Sequence, residues 1–177
     1  MRKFFITLLV AITTMSTFAG IKIEEKYDDF TNSRYISTRW EGFQKYGKCH
    51  FKVTSTTKAT TLGFKIINDR PAVVTSENAM IFLDKDGEKM YIFPLGVCSA
   101  SIGGGSTGLV GSKYWGVTVN YLLTDENIEW LSTHDVAKVR FQDNEAQDDL
   151  TFSDKETTKI KEMICTVMER AKSTPKK

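Results

Sequence analysis

Met80-Ile81-Phe82-Leu83, then Asp84-Lys85-Asp86-Gly87, then Met90-Tyr91-Ile92-Phe93: two apolar runs flank a short polar stretch that ends in glycine. Asp-Gly supplies the positive φ that a tight turn requires, so this segment predicts a β-hairpin. A hairpin joins antiparallel strands, whereas parallel strands need crossovers of a dozen or more residues. The same pattern returns on either side. Upstream, Ile21-Lys22-Ile23 reads as a short strand, and residues 35–40 alternate, with Ile36, Thr38 and Trp40 on one face and Tyr35, Ser37 and Arg39 on the other. Cys49, Phe51 and Val53 share a parity against His50, Lys52 and Thr54, and residues 62–67 are apolar and partly β-branched. Downstream, Trp115, Val117, Val119 and Tyr121 predict an inward face opposite an outward Tyr114, and residues 136–141 alternate again.

Helical signals are fewer. Residues 125–131 suit a short helix capped by Thr124 or Asp125, with Trp130 turned away from the Ile128/Leu131 direction. A second helix closes the chain: Ser153 and Glu156 fit a capping box, and Ile160, Met163, Ile164, Val167 and Ala171 fall on one face. Connections this short leave no room for βαβ units. The expected class is therefore α+β, with a mostly antiparallel sheet, curved or sandwich-like, a short helix, and a C-terminal helix packed on one face.

The first residues stand apart from this pattern. Arg2 and Lys3 precede an apolar run from Phe4 to Ile12, and Thr17-Phe18-Ala19 places small residues where secretory cleavage requires them. This predicts a signal peptide over residues 1–19, cleaved before Gly20, then a single domain over 20–171 and a basic disordered tail over 172–177. The apolar run is shorter than the ~20 residues that span a bilayer, so no membrane span is expected after cleavage. No cysteine follows it to accept a lipid. The expected location is periplasmic or secreted, and soluble.

Charge excludes one class of partner. The chain has 24 Lys+Arg against 22 Asp+Glu, and removing Arg2 and Lys3 with the leader leaves a formally neutral domain. Such a domain lacks the basic field that nucleic-acid binding draws on. With 41% hydrophobic residues, three prolines and three cysteines among 177, the chain is neither a disordered tail nor a disulfide-built miniprotein.

Motifs with chemical content fail on context. Residues 103–108 satisfy G-x-G-x-x-G, but residues 109–116 are too glycine-rich for the helix N-terminus that a dinucleotide needs, and Leu109 stands where a phosphate-binding lysine belongs. Asp84, Asp86 and Gly87 lack the glycine and glutamate spacing of a calcium loop. His50 and His134 belong to no spaced ligand pair, and Cys49 and His50, adjacent on a strand, point to opposite faces. No catalytic residue, cofactor or metal is assigned. An exported chain can oxidise its thiols, which predicts a Cys49–Cys98 disulfide with Cys165 left over, the alternative being three reduced thiols. The glycine-rich connection and its neighbours Lys113 and Tyr114, together with Trp130, form the expected ligand or partner surface, because glycine permits close backbone approach and aromatic rings offer contact area at low entropic cost.

Tyr27-Asp28-Asp29-Phe30-Thr31, residues 36–41, Asn127-Ile128-Glu129-Trp130-Leu131 and residues 136–141 resemble small, largely uncharacterised secreted proteins of Bacteroidetes-type bacteria. The resemblance implies an exported α+β domain of the cell envelope and transfers no catalytic residue. The expected function is a non-enzymatic module that binds an envelope protein or glycan. Its rivals are a hydrolase built on Cys98 or paired carboxylates, and an inhibitor or structural partner protein.

Overall fold

A computed structural model describes residues 20–104 and 113–173; the expected leader 1–19, residues 105–112 of the glycine-rich connection and residues 174–177 of the expected tail lie outside it. The chain forms β1 (Ile23–Asp28), β2 (Ser33–Thr38), β3 (Glu41–Phe43), β4 (Cys49–Thr56), β5 (Thr60–Asn68), β6 (Val73–Val74), β7 (Met80–Asp84) and β8 (Lys89–Ile92). Then come β9 (Cys98–Ser99), β10 (Ser101–Ile102), β11 (Trp115–Leu123), α1 (Asp125–Thr133), β12 (Val136–Gln142), β13 (Gln147–Thr151) and α2 (Asp154–Lys172). The class is α+β, and every strand pair is antiparallel.

The larger sheet runs β1-β2-β4-β5-β11-β10, with β3 also on β4. A smaller sheet runs β13-β12-β7-β8 and contains the hairpin expected around Asp86-Gly87, while β6 and β9 pair separately. Strands β2 and β3 share one edge of β4: Tyr35–Ser37 pair with Thr56–Thr54, and Glu41–Phe43 with Phe51–Cys49. Between them the register slips by one residue, as in a β-bulge. The Thr38 hydroxyl fills the gap by accepting a hydrogen bond from the Val53 amide at 3.1 Å. This slip reverses the expected placement of Trp40. Ile36 and Thr38 face inward, but Trp40 turns to the outer face.

One continuous core lies between the larger sheet and a second layer made of the smaller sheet and α2. Phe51 meets Phe64 with ring centroids 4.9 Å apart, Phe64 meets Phe141 across the layers at 5.3 Å, and Phe43 meets Phe152 at 5.4 Å. Helix α2 packs against β2 and β4, burying Ile160, Met163, Ile164 and Val167. Its start is fixed by the expected Ser153/Glu156 capping box, by a hydrogen bond from the Thr157 hydroxyl to the Val136 carbonyl at 2.6 Å, and by the Gln44 amide donating to Glu156 at 2.5 Å. Helix α1 carries the expected Thr124 cap, reciprocated by Asn127. The far end of α2 runs on through Lys172, and Arg34 donates to the Ser173 carbonyl at 2.7 Å, so the first two residues of the expected tail belong to the fold. Among the described residues, no helix is long and apolar enough to cross a membrane.

The three thiols are free, and the expected Cys49–Cys98 bridge is not formed. Topology explains why. Cys49 lies on β4, with β5 and β11 on its far side; Cys98 follows the segment that bridges the opposite edge of β11 through Pro94 and Tyr121. Strands stand about 4.8 Å apart, so β4 and the segment that leads into Cys98 are on the order of 14 Å apart, beyond the ~7 Å Cα separation a disulfide tolerates. Burial pushes the Cys49 thiol up to about 12, with the nearby Glu156 carboxylate adding to the shift. A thiolate is the reactive form. Native-state alkylation at neutral pH is expected to label the half-buried Cys98 and Cys165 while Cys49 reacts at least ~100-fold more slowly, and to label all three in denaturant. Equal native rates at Cys49 and Cys165, read by peptide mass spectrometry, would contradict this burial.

Candidate ligand-binding face

The inner face of the larger sheet is sealed in the core, which leaves its outer face as a solvent-facing surface. Register assembles that surface from the polar parity of each strand. Glu24 stands beside Ser37, Thr54, Thr61 and Leu122; Lys26 stands beside Tyr35 and Thr56; Lys52 stands beside Gly63 and Asn120; His50 stands beside Lys65 and Thr118.

At the β1–β2 end the surface deepens into a concavity of about 540 Å³. Its floor is Tyr35, Ser37, Lys52 and Thr54, and its rim is supplied by Glu24, Lys26 and the turn residues Tyr27, Asp28, Asp29 and Phe30. The turn is organised by Asp28. Its carboxylate accepts hydrogen bonds from the Phe30 amide at 2.9 Å, the Thr31 amide at 3.3 Å and the Thr31 hydroxyl at 2.8 Å. The Thr31 hydroxyl, followed by the Phe30 amide, holds the Asp28 carboxyl below its ordinary value. Asn32 closes the turn at φ 52° and accepts a hydrogen bond from the Tyr27 hydroxyl. Phe30 is thereby fully exposed, with Tyr27 at 57% and Tyr35 at 38%. Three aromatic side chains facing solvent around one concavity are unusual for a surface that only separates core from water.

Next to the concavity, Trp40 lies across Gly63. A Cβ at Gly63 would stand 2.9 Å from the indole, so only glycine leaves this seat open. The Lys65 ammonium sits over the indole ring at 4.2 Å. Burial, and then the neighbouring Lys52 charge, lower the Lys65 pKa. His50 is packed beneath Gly42 and Gly47, and its Nδ1 meets no hydrogen-bond partner among the described residues. Burial first, then Lys65 and Lys159, lower its pKa and keep the imidazole neutral at pH 7.

The residues singled out from sequence do not form one surface. Lys113 and Tyr114 are exposed, Tyr114 at 59%, and they precede β11. Trp130 follows β11 on α1, half-buried, with its ring stacked on His134 at 4.6 Å. The nine residues of β11 span about 30 Å and hold the two aromatics at opposite ends. Residues 105–112 of the expected binding loop lie outside the described residues. Tyr35 is legible as outward-facing from its parity, whereas Tyr27 and Phe30 carry only the Asp-x-x-Thr turn chemistry as a signal.

The features of the hydrolase rival are dispersed. His134 meets Glu88, Thr133 and the Trp130 carbonyl rather than Cys98, whose thiol donates to the Gly96 carbonyl at 3.8 Å. Asp143 and Asp148 both engage Arg70. Compared with protein-family models, curated proteins and solved structures, the chain matches none. Nothing in those comparisons links it to secreted proteins of Bacteroidetes-type bacteria.

Proposed function

We propose that the protein is an exported, non-enzymatic binding module of the cell envelope, and that it takes a glycan chain on the outer face of the larger sheet. The observation that carries this reading is the concavity ringed by Tyr27, Phe30 and Tyr35, with hydrogen-bonding side chains set between the rings. A pyranose ring has flat C–H faces and a rim of hydroxyls. Exposed aromatic faces suit the first, and Ser37, Lys52, Thr54 and the carboxylates of Glu24 and Asp29 suit the second. The lining mixes three carboxylates with two lysines, a balance that suits an uncharged or zwitterionic polymer better than a strongly charged one. Export rests on the charged start, short apolar run and small-residue cleavage site of residues 1–19.

The test uses the chain from Gly20 onward on an array of soluble bacterial and plant polysaccharides, followed by calorimetry on the best ligand. The double variant Tyr27→Ala/Tyr35→Ala is expected to weaken binding at least ~10-fold with an unchanged circular dichroism spectrum, in line with the loss of exposed aromatic contacts. Binding that is equal in parent and variant would remove this face from consideration. Failure of every polysaccharide to bind, with capture of a single envelope protein instead, would replace the glycan with a protein partner.

A further inference from the structure

The turn of the β7–β8 hairpin and the C-terminal end of α1 meet at Asp84, Glu88 and His134. One ligand-type atom from each residue lies within 4.8 Å of the others. We propose that these three side chains form a binding site for a divalent cation of the zinc class, and the site is independent of the glycan-binding face.

Each donor is held in place by groups outside the trio. Asp84 is buried, 4% exposed, and one of its oxygens accepts the Asp86 and Glu88 amides at 2.9 and 2.8 Å. This fixes the carboxylate across the hairpin turn. His134 Nδ1 lies 3.1 Å from the Trp130 carbonyl and 3.0 Å from the Thr133 hydroxyl, and with that hydroxyl donating to the Glu129 carbonyl at 2.9 Å the arrangement favours a proton on Nδ1. A neutral imidazole in that tautomer presents its Nε2 lone pair outward, and a backbone carbonyl on the other ring nitrogen is the usual support of a metal-binding histidine. Stacking on Trp130, with ring planes 7° apart, fixes the ring's orientation.

The electrostatics then favour a cation. Nε2 faces the Glu88 carboxylate at 3.4 Å, so a neutral histidine sets one acceptor against another. A proton on Nε2 resolves the conflict, and so does a metal ion. Lys85, next to Asp84 in sequence, is drawn to Asp154 at 2.7 Å and to Asp135 at 3.9 Å instead. Distance suits the metal. Ligands about 2.0–2.1 Å from a tetrahedral zinc stand roughly 3.4 Å apart, which is the spacing already present between Glu88 and His134. All three donor atoms lie within 4.8 Å of one another, so closing the set around the buried Asp84 takes at most ~1.4 Å of side-chain adjustment, to which the exposed Glu88 contributes by rotation. Nitrogen and two carboxylate oxygens suit zinc, cobalt or manganese better than calcium, which takes six or more oxygens. Three protein donors leave a fourth position for water or an outside ligand.

The experiment titrates tag-free, metal-stripped protein with Zn²⁺ by calorimetry and with Co²⁺ by visible absorption. One equivalent is expected to bind, with a Co²⁺ spectrum free of thiolate charge-transfer bands. Glu88→Gln and His134→Ala are each expected to weaken binding at least ~10-fold. Glu88 is exposed and its substitution leaves the fold undisturbed, so that variant alone decides the matter even where His134→Ala lowers stability. Absence of binding, binding unaltered in Glu88→Gln, or a Co²⁺–thiolate spectrum would each overturn the proposal.

Discussion

Phe64→Ala is expected to destabilise the protein by about 3–5 kcal/mol, which for a chain of this size lowers Tm by roughly 6–20 °C. Phe64 has no exposed surface and joins the two layers, touching Phe51 in its own sheet and Phe141 in the opposite one. Removing the ring forfeits its burial and leaves a cavity that neither sheet can close, because both backbones are held by ladder hydrogen bonds on either side. Denaturant unfolding of Phe64→Ala beside a solvent-face control such as Thr61→Ala measures the difference. A cost under about 1 kcal/mol would mean that the layers are not packed through this ring.

Asp143→Ala is the second large effect, at about 3 kcal/mol. The Asp143 side chain is fully buried in the β12–β13 turn, where one oxygen accepts the Glu145 and Ala146 amides at 2.8 and 2.9 Å and the other lies 2.8 Å from Arg70. Alanine leaves two amides without their acceptor and takes from Arg70 its closest counter-charge, although Asp148 at 3.5 Å retains part of that role. Asp143→Asn keeps an acceptor for the amides and loses only the charge, so it is expected to cost about half as much. Chemical denaturation of both variants separates the turn from the ion pair. Equal losses would assign the whole effect to the charge.

These residues show where sequence reasoning reaches and where it stops. The β7–β8 hairpin and both helix caps are legible because their determinants, Asp86-Gly87, Thr124/Asn127 and Ser153/Glu156, are local. Parity misplaces Trp40 because the slip between β2 and β3 is defined by their pairing with β4, and no property of residues 35–40 announces it. The disulfide fails for a related reason: Cys49 has the inward parity expected of it, but strand order decides which thiols meet. The expected ligand surface rests on proximity in sequence, with β11 as a short link between Tyr114 and Trp130, and a strand is the most extended way to connect two points. Glu88 and His134 escape notice because a metal-ligand pattern read from sequence assumes neighbours on one element, and in the proposed site a hairpin supplies two donors and a helix end the third.

The position of α2 bears on how the molecule comes into being. The helix is the last element of the described chain, yet it covers β2 and β4, which are among the first, and Glu25 of β1 is paired with Arg170 at 2.6 Å and with Arg34 at 2.7 Å. A nascent chain emerging from its N-terminus can zip β1 to β5 early, but that partial sheet keeps one apolar flank uncovered until residues 160–167 arrive. Burial of that flank therefore waits until α2 has been made. Until that helix is made, the uncovered flank is the kind of transiently exposed apolar surface that favours association between chains.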